Sequence, residues 1–164
     1  MRLVVWFVVA AVLLGVWWRF FRVARPAFPP LVIDENDPLM KEAVQQAKRS
    51  IPEFRELYRQ RPQQANVKVP LKTSSGVTEF LWAEVLALEG DTLKVRLLTP
   101  PVSHTGQLER LQTYNVQDLV DWSVEMDDSR KQGGYTMRVM FKRGREQWGD
   151  LPDELKNEER KYVP

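Results

Sequence analysis

Residues 3–18 (LVVWFVVAAVLLGVWW) run for 16 positions without a charge. Such a run is apolar all round, so as a helix it has no polar face to show to water. At 1.5 Å per residue it reaches about 24 Å, short of a hydrocarbon core of about 30 Å. Extending it to Phe21, with Arg19 snorkelling to the interface, gives a span of 19 residues. Trp17 and Trp18 stand where an aromatic belt belongs. The expectation is a membrane anchor over residues 1–25, contacting lipid through residues 3–21.

Two other uses of such a run fit less well. A cleaved secretory leader has an apolar core of roughly 7–15 residues and a small-x-small cleavage site. Here the candidate pairs Arg22/Ala24, Ala24/Pro26 and Arg25/Ala27 each carry a large or imino residue. A lipoprotein needs a cysteine, and the chain has none. The missing cysteines also exclude a disulfide framework and leave the compartment open. Arg2 and the α-amino group precede the run; Arg19, Arg22 and Arg25 follow it. The positive-inside rule then places a single-pass protein in an inner or cytoplasmic membrane, with its domain in the cytoplasm.

Beyond the anchor, residues 26–36 form a Pro-rich linker containing Pro26, Pro29 and Pro30. Extended backbone of about 3.1 Å per residue keeps the following domain within roughly its own diameter of the bilayer. The formal charge of the whole chain is +2, but Arg2, Arg19, Arg22 and Arg25 account for +4. The remainder is therefore about −2. A clustered basic face is not implied, so no nucleic-acid partner is expected.

Residues 37–143 read as one α+β domain, followed by a charged tail at 144–164. Asp37-Pro38 is a helix start, with Leu39, Met40, Ala43, Val44 and Ala47 as an apolar stripe. Ser50-x-x-Glu53 has the form of a capping box for a second helix that buries Ile51, Phe54, Leu57 and Tyr58. The period then changes to two. Val67, Val69 and Leu71 alternate with Lys68, Pro70 and Lys72, and further strands are expected at 77–88 and 92–98. A loop at 102–111, a fourth strand around 119–124, a polar turn at 127–134 and a fifth strand at 135–142 complete the reading. The fold expected after the membrane helix is two short helices packed on a twisted antiparallel sheet of about five strands. One core is expected to hold Phe54, Trp82, Val95, Trp122 and Val139. A short helix is expected around 153–160.

An ordered set of small motifs adds to this. Ala43 and Ala47 stand at helical spacing, and Phe54 lies in the next helix. Val67-Lys68, Glu79-x-x-Trp82, Asp121-Trp122 and Gly133-Gly134-Tyr135-Thr136 follow in order. From residue 37 to about 141 the chain resembles the bacterial domain of unknown function numbered 2314, the YegJ-like family. It departs from that family's Gly-x-Leu-x-Asn pattern before a proline, having Leu97-Leu98-Thr99-Pro100. The family has no established activity, so the resemblance implies a fold and no mechanism.

The candidate ligand-binding residues are Glu79, Trp82, Asp118, Asp121 and Trp122. A carboxylate beside an aromatic platform suits a cationic or sugar-like ligand. Yet Glu79 and Trp82 point to opposite faces of a regular strand, which suits a core Trp and a solvated Glu. Asp118 and Asp121 could form an acid/base pair if burial separated their pKa values. An Asp before a strand more often caps a turn by accepting backbone N–H groups. His104 is the only histidine, so a metal site is not expected, and a solvated loop position is. Gly133-Gly134 resembles a phosphate-cradling loop, but such loops lead into a helix, and here a strand is expected. No cofactor is implied. The function expected is a binding or interaction module near the bilayer, with an unknown protein partner. The alternative is a membrane-tethered hydrolase-like enzyme using Glu79, Asp118 or Asp121.

Overall fold

The computed structural model describes residues 36–162. The expected anchor and residues 26–35 of the linker lie outside these residues. Among the described residues no helix is long and apolar enough to cross a membrane. Helix α1 (Pro38–Arg49) opens as the sequence predicts: the Asp37 carboxylate accepts the N–H groups of Leu39, at 2.8 Å, and Met40. Pro38 sits at the first turn, where its missing donor costs nothing. Helix α2 (Ile51–Gln60) follows after Ser50. Ser50 does not cap it as a capping box would. Its hydroxyl instead donates to the Ala47 carbonyl and accepts the indole N–H of Trp122.

After a 3₁₀ turn (Pro62–Gln64) come β1 (Ala65–Lys72), β2 (Thr78–Glu89), β3 (Thr92–Leu97) and β4 (Leu111–Asn115). A 3₁₀ turn (Val116–Asp118) leads to β5 (Asp121–Glu125) and β6 (Lys131–Gly133). Helices α3 (Tyr135–Trp148) and α4 (Asp153–Glu159) end the described chain. The sheet is antiparallel in the order β4-β3-β2-β1-β5-β6. It has six strands rather than the expected five. The segments expected as a meander pair as expected, with a bulge between Val85 and Ala87 of β2.

The main correction is at 135–142, where a strand is expected and α3 is found. Tyr135-Thr136-Met137-Arg138-Val139-Met140-Phe141 alternates by accident. The helix buries Thr136, Phe141 and Gly144, and it continues through position 143. The segment following Gly144 is not merely a charged face. Leu151 is buried, Tyr162 packs on Phe141 with ring centroids 5.8 Å apart, and Lys131 donates its N–H to the Lys161 carbonyl.

One sheet face carries Val67, Val69, Ala83, Val85, Leu93, Val95, Leu97, Trp122 and Val124, and packs on Ala47, Ile51 and Phe54 of α1 and α2. Trp122 is fully buried; its indole N–H reaches the Ala47 carbonyl and Ser50, and its ring lies 5.6 Å from Phe54. Trp82 is a correction to the expected core. It pairs with Lys68 in register, so it lies on the opposite face and is only half-buried. Val139 stands on α3 and is half-buried, outside this core. On the Trp82 face, Phe80 and Leu111 are exposed.

Candidate functional site

Cross-strand register decides what the candidate residues can do together, because directly paired residues share a face. Glu79 pairs with Leu71, on the α1–α2 face; Trp82 pairs with Lys68, on the other. Asp121 also pairs with Lys68, from the far side of β1. Glu79 and Asp121 therefore stand on opposite faces with β1 between them. Asp118 is exposed in the second 3₁₀ turn. The carboxylates do not converge. Among the described residues no group of His, Cys, Asp and Glu is arranged to hold a metal.

Asp121 has a structural task. It is fully buried and accepts four hydrogen bonds. They come from the Thr136 hydroxyl and N–H, each at 2.7 Å, and from the N–H groups of Tyr135 and Trp122. Two of these are orphan donors of the first turn of α3, whose N-cap, Gly134, has no side chain to offer them. The anion at this glycine-led helix start is the chain's own carboxylate. Burial pushes the Asp121 carboxyl above its ordinary value, while its hydrogen bonds pull the other way. Lys68, pushed down by burial and up by the Asp121 charge, places its ammonium 3.5 Å from Thr136 Oγ1.

Two glycines make this packing possible. Gly133 has φ +81°, and a Cβ there would lie 2.2 Å from the Trp122 carbonyl oxygen. Gly134 has φ +67°, and its Cβ would strike the Tyr162 ring. The Gly133-Gly134 pair leads into a helix and not into a hairpin strand as expected.

Glu79 organises a second region. It accepts the Val102 N–H at 2.8 Å and both the N–H and hydroxyl of Ser103. These bonds, the Ser103 hydroxyl first, hold its carboxyl below the usual range. Beside them, Ser103 Oγ lies 3.2 Å from the buried Thr73 hydroxyl, and the Ser74 N–H donates to His104 Nδ1 at 3.2 Å. Ser74 and Thr105 close the contact between the two loops. His104 is half-buried, so it is not the solvated side chain expected from its loop position.

This pinned loop, residues 98–110, borders a concavity of about 260 Å³ lined by Leu97, Thr99, Pro100, Pro101, His104, Gly106, Leu108 and Arg110. Arg110 donates Nε and Nη2 to the Leu97 carbonyl, and Nη2 also to that of Leu98. Because His104 Nδ1 accepts a hydrogen bond, the imidazole proton is on Nε2. Among the described residues, neither that Nε2 nor Nη1 of Arg110 has a protein partner. Sequence reasoning missed Arg110 and the role of His104. The signal available was Pro100-Pro101, which stiffens the start of a loop too long for a simple turn.

Compared with known proteins, residues 37–150 match the family model described as an uncharacterized protein conserved in bacteria, DUF2314. No curated protein and no solved structure matches the chain.

Proposed function

The chain belongs to the bacterial DUF2314 family, and we propose that it is a binding module held beside a bilayer by residues 3–21, which recognises its target through the pocket at loop 98–110. One observation carries the pocket reading. Two of the carboxylates that hydrolytic chemistry would need, Glu79 and Asp121, are used as acceptors within the fold and the third, Asp118, stands exposed apart from them, while His104 and Arg110 of the pocket lining carry donors with no protein partner among the described residues. The uncharged run, its tryptophans and the short Pro-rich linker support the tether. Arg19, Arg22 and Arg25 support a cytoplasmic domain on a single-pass anchor in the inner or cytoplasmic membrane. The target in this reading is a protein or a small molecule and not a nucleic acid.

The test uses full-length wild-type protein and a Thr99→Trp variant, which puts an indole into the pocket lining at an exposed position. Membranes carrying each are washed with carbonate, solubilised, and the co-purifying molecules compared by mass spectrometry. Both chains are expected to stay with the membrane, because apolar burial holds a spanning helix and salt or alkali does not release it. A species present in stoichiometric amount with wild type is expected to be missing from Thr99→Trp. Release by carbonate overturns the anchor. Identical co-purification overturns recognition through this pocket.

A further inference from the structure

We infer that the pocket at loop 98–110 is a site for a small organic carboxylate with a compact apolar body, bound between His104 and Arg110. The inference deepens the proposed binding function and rests on that reading. Three features of the site set the ligand class.

First, the polar groups left open are donors. His104 and Arg110 line the same concavity, and Nε2–H of His104 and the Nη1 amino group of Arg110 have no protein partner among the described residues. Two N–H donors, one of them formally charged, suit an anionic oxygen. Second, the Arg110 charge is not offset within the fold. Arg110 forms no ion pair among the described residues, whereas Arg55, Arg61, Arg96, Arg143 and Arg145 each face a carboxylate. The two carbonyls that hold its Nε and Nη2 fix its direction and leave its charge available. Glu109, the acidic residue of the loop itself, is exposed and forms no ion pair among the described residues, and Glu79 of β2 is turned to the Val102 and Ser103 donors. Third, most of the rest of the lining is apolar: Leu97, Pro100, Pro101 and Leu108, with Thr99 and Gly106 beside them. A hydrated inorganic anion gains nothing from those walls. An aromatic or short aliphatic body does. At about 260 Å³ the space takes a small molecule or one terminal residue of a peptide, and not a large cofactor.

The pocket is also preorganised. Glu79 fixes Val102 and Ser103, Ser74 fixes His104 and Thr105, and Arg110 is clamped at the other end of the loop. A ligand therefore does not have to order the loop on binding.

The experiment uses the single imidazole as reporter. Full-length protein in detergent micelles is titrated with benzoate while the His104 Cε1–H resonance is followed by NMR. Benzyl alcohol serves as the neutral probe of similar shape, and inorganic phosphate as the anion without an apolar body. The expected result is a saturable shift with benzoate at a Kd of about 1 mM or tighter. Benzyl alcohol should give none in the same range, and phosphate should bind more weakly. Arg110→Gln should weaken benzoate about tenfold. Because Arg110 also holds two carbonyls, Thr99→Trp is the second variant; it leaves those bonds in place and should abolish the shift. Lack of saturation with benzoate overturns the inference, as does equal binding of benzyl alcohol. Tighter binding of phosphate overturns the organic class. A Thr99→Trp-sensitive target in native membranes, together with no benzoate binding, refutes the carboxylate alone and leaves the binding reading standing.

Discussion

Replacing the two tryptophans separately tests the face assignment most directly. Trp122 is fully buried, with Phe54 at 5.6 Å, Tyr135 at 5.9 Å and two acceptors on its indole N–H. Truncation to alanine loses the transfer term of a large aromatic and leaves a cavity that the sheet and two helices cannot collapse, at about 3–5 kcal/mol. The Ala47 carbonyl keeps the Ser50 hydroxyl as its donor, but the Ser50 hydroxyl loses the indole N–H, so the upper half of that range is expected. Trp122→Phe keeps a ring against Phe54 and should cost about 2 kcal/mol. Trp82 is half-buried on the opposite face beside Lys68, so Trp82→Ala should cost about 1 kcal/mol. In a domain of this size each kcal/mol moves Tm by roughly 3–4 °C. Trp122→Ala should therefore melt about 12–20 °C below wild type, and Trp82→Ala about 3–4 °C below. Thermal unfolding of the full-length variants in one detergent, followed by far-UV circular dichroism, reads both. Equal losses would refute the placement of the two residues on opposite faces. A Trp122→Ala loss below about 1 kcal/mol would refute its role as the centre of the core.

Gly133→Ala should destabilise by about 3 kcal/mol or more, because its Cβ meets a backbone carbonyl at 2.2 Å, whereas Gly149→Ala, at the same φ of +81° in open space, should cost only about 1 kcal/mol by chemical denaturation. The Asp37 carboxyl, lowered to about 2 chiefly by the Arg143 guanidinium, is depressed in the fold, so its contribution is fully present above the unfolded value near 4 and is lost as pH falls towards 2. Asp37→Asn should accordingly flatten the stability–pH curve between about pH 4 and 2, and an unchanged curve would refute the Arg143 contact. Glu79→Gln should leave Tm nearly unchanged but raise hydrogen exchange at Val102 and Ser103, since an amide puts N–H where those donors need an oxygen; unchanged exchange would show that Glu79 does not hold the loop.

Sequence by itself determined the elements whose signals are local. Asp37-Pro38 caps α1 with its own carboxylate, and strict alternation in β1 and β3 places Val67, Val69, Leu93 and Val95 inward without reference to anything distant. Chain-local chemistry did not reach three other features. The start of α3 has no N-cap side chain next to it; the acceptor is Asp121, 14 residues earlier, so the alternating pattern after Gly134 was the stronger local signal and it misled. The side of the sheet on which Trp82 lies depends on which face the helices cover, and period-two spacing alone is indifferent to that choice. The pocket depends on hydrogen bonds that Glu79 accepts from residues more than 20 positions away and that the Ser74 N–H donates to His104 across 30, contacts that exist only once β2 and the long loop are brought together. Local periodicity and capping are written into consecutive residues. The pairing of distant donors and acceptors is decided by the packed sheet.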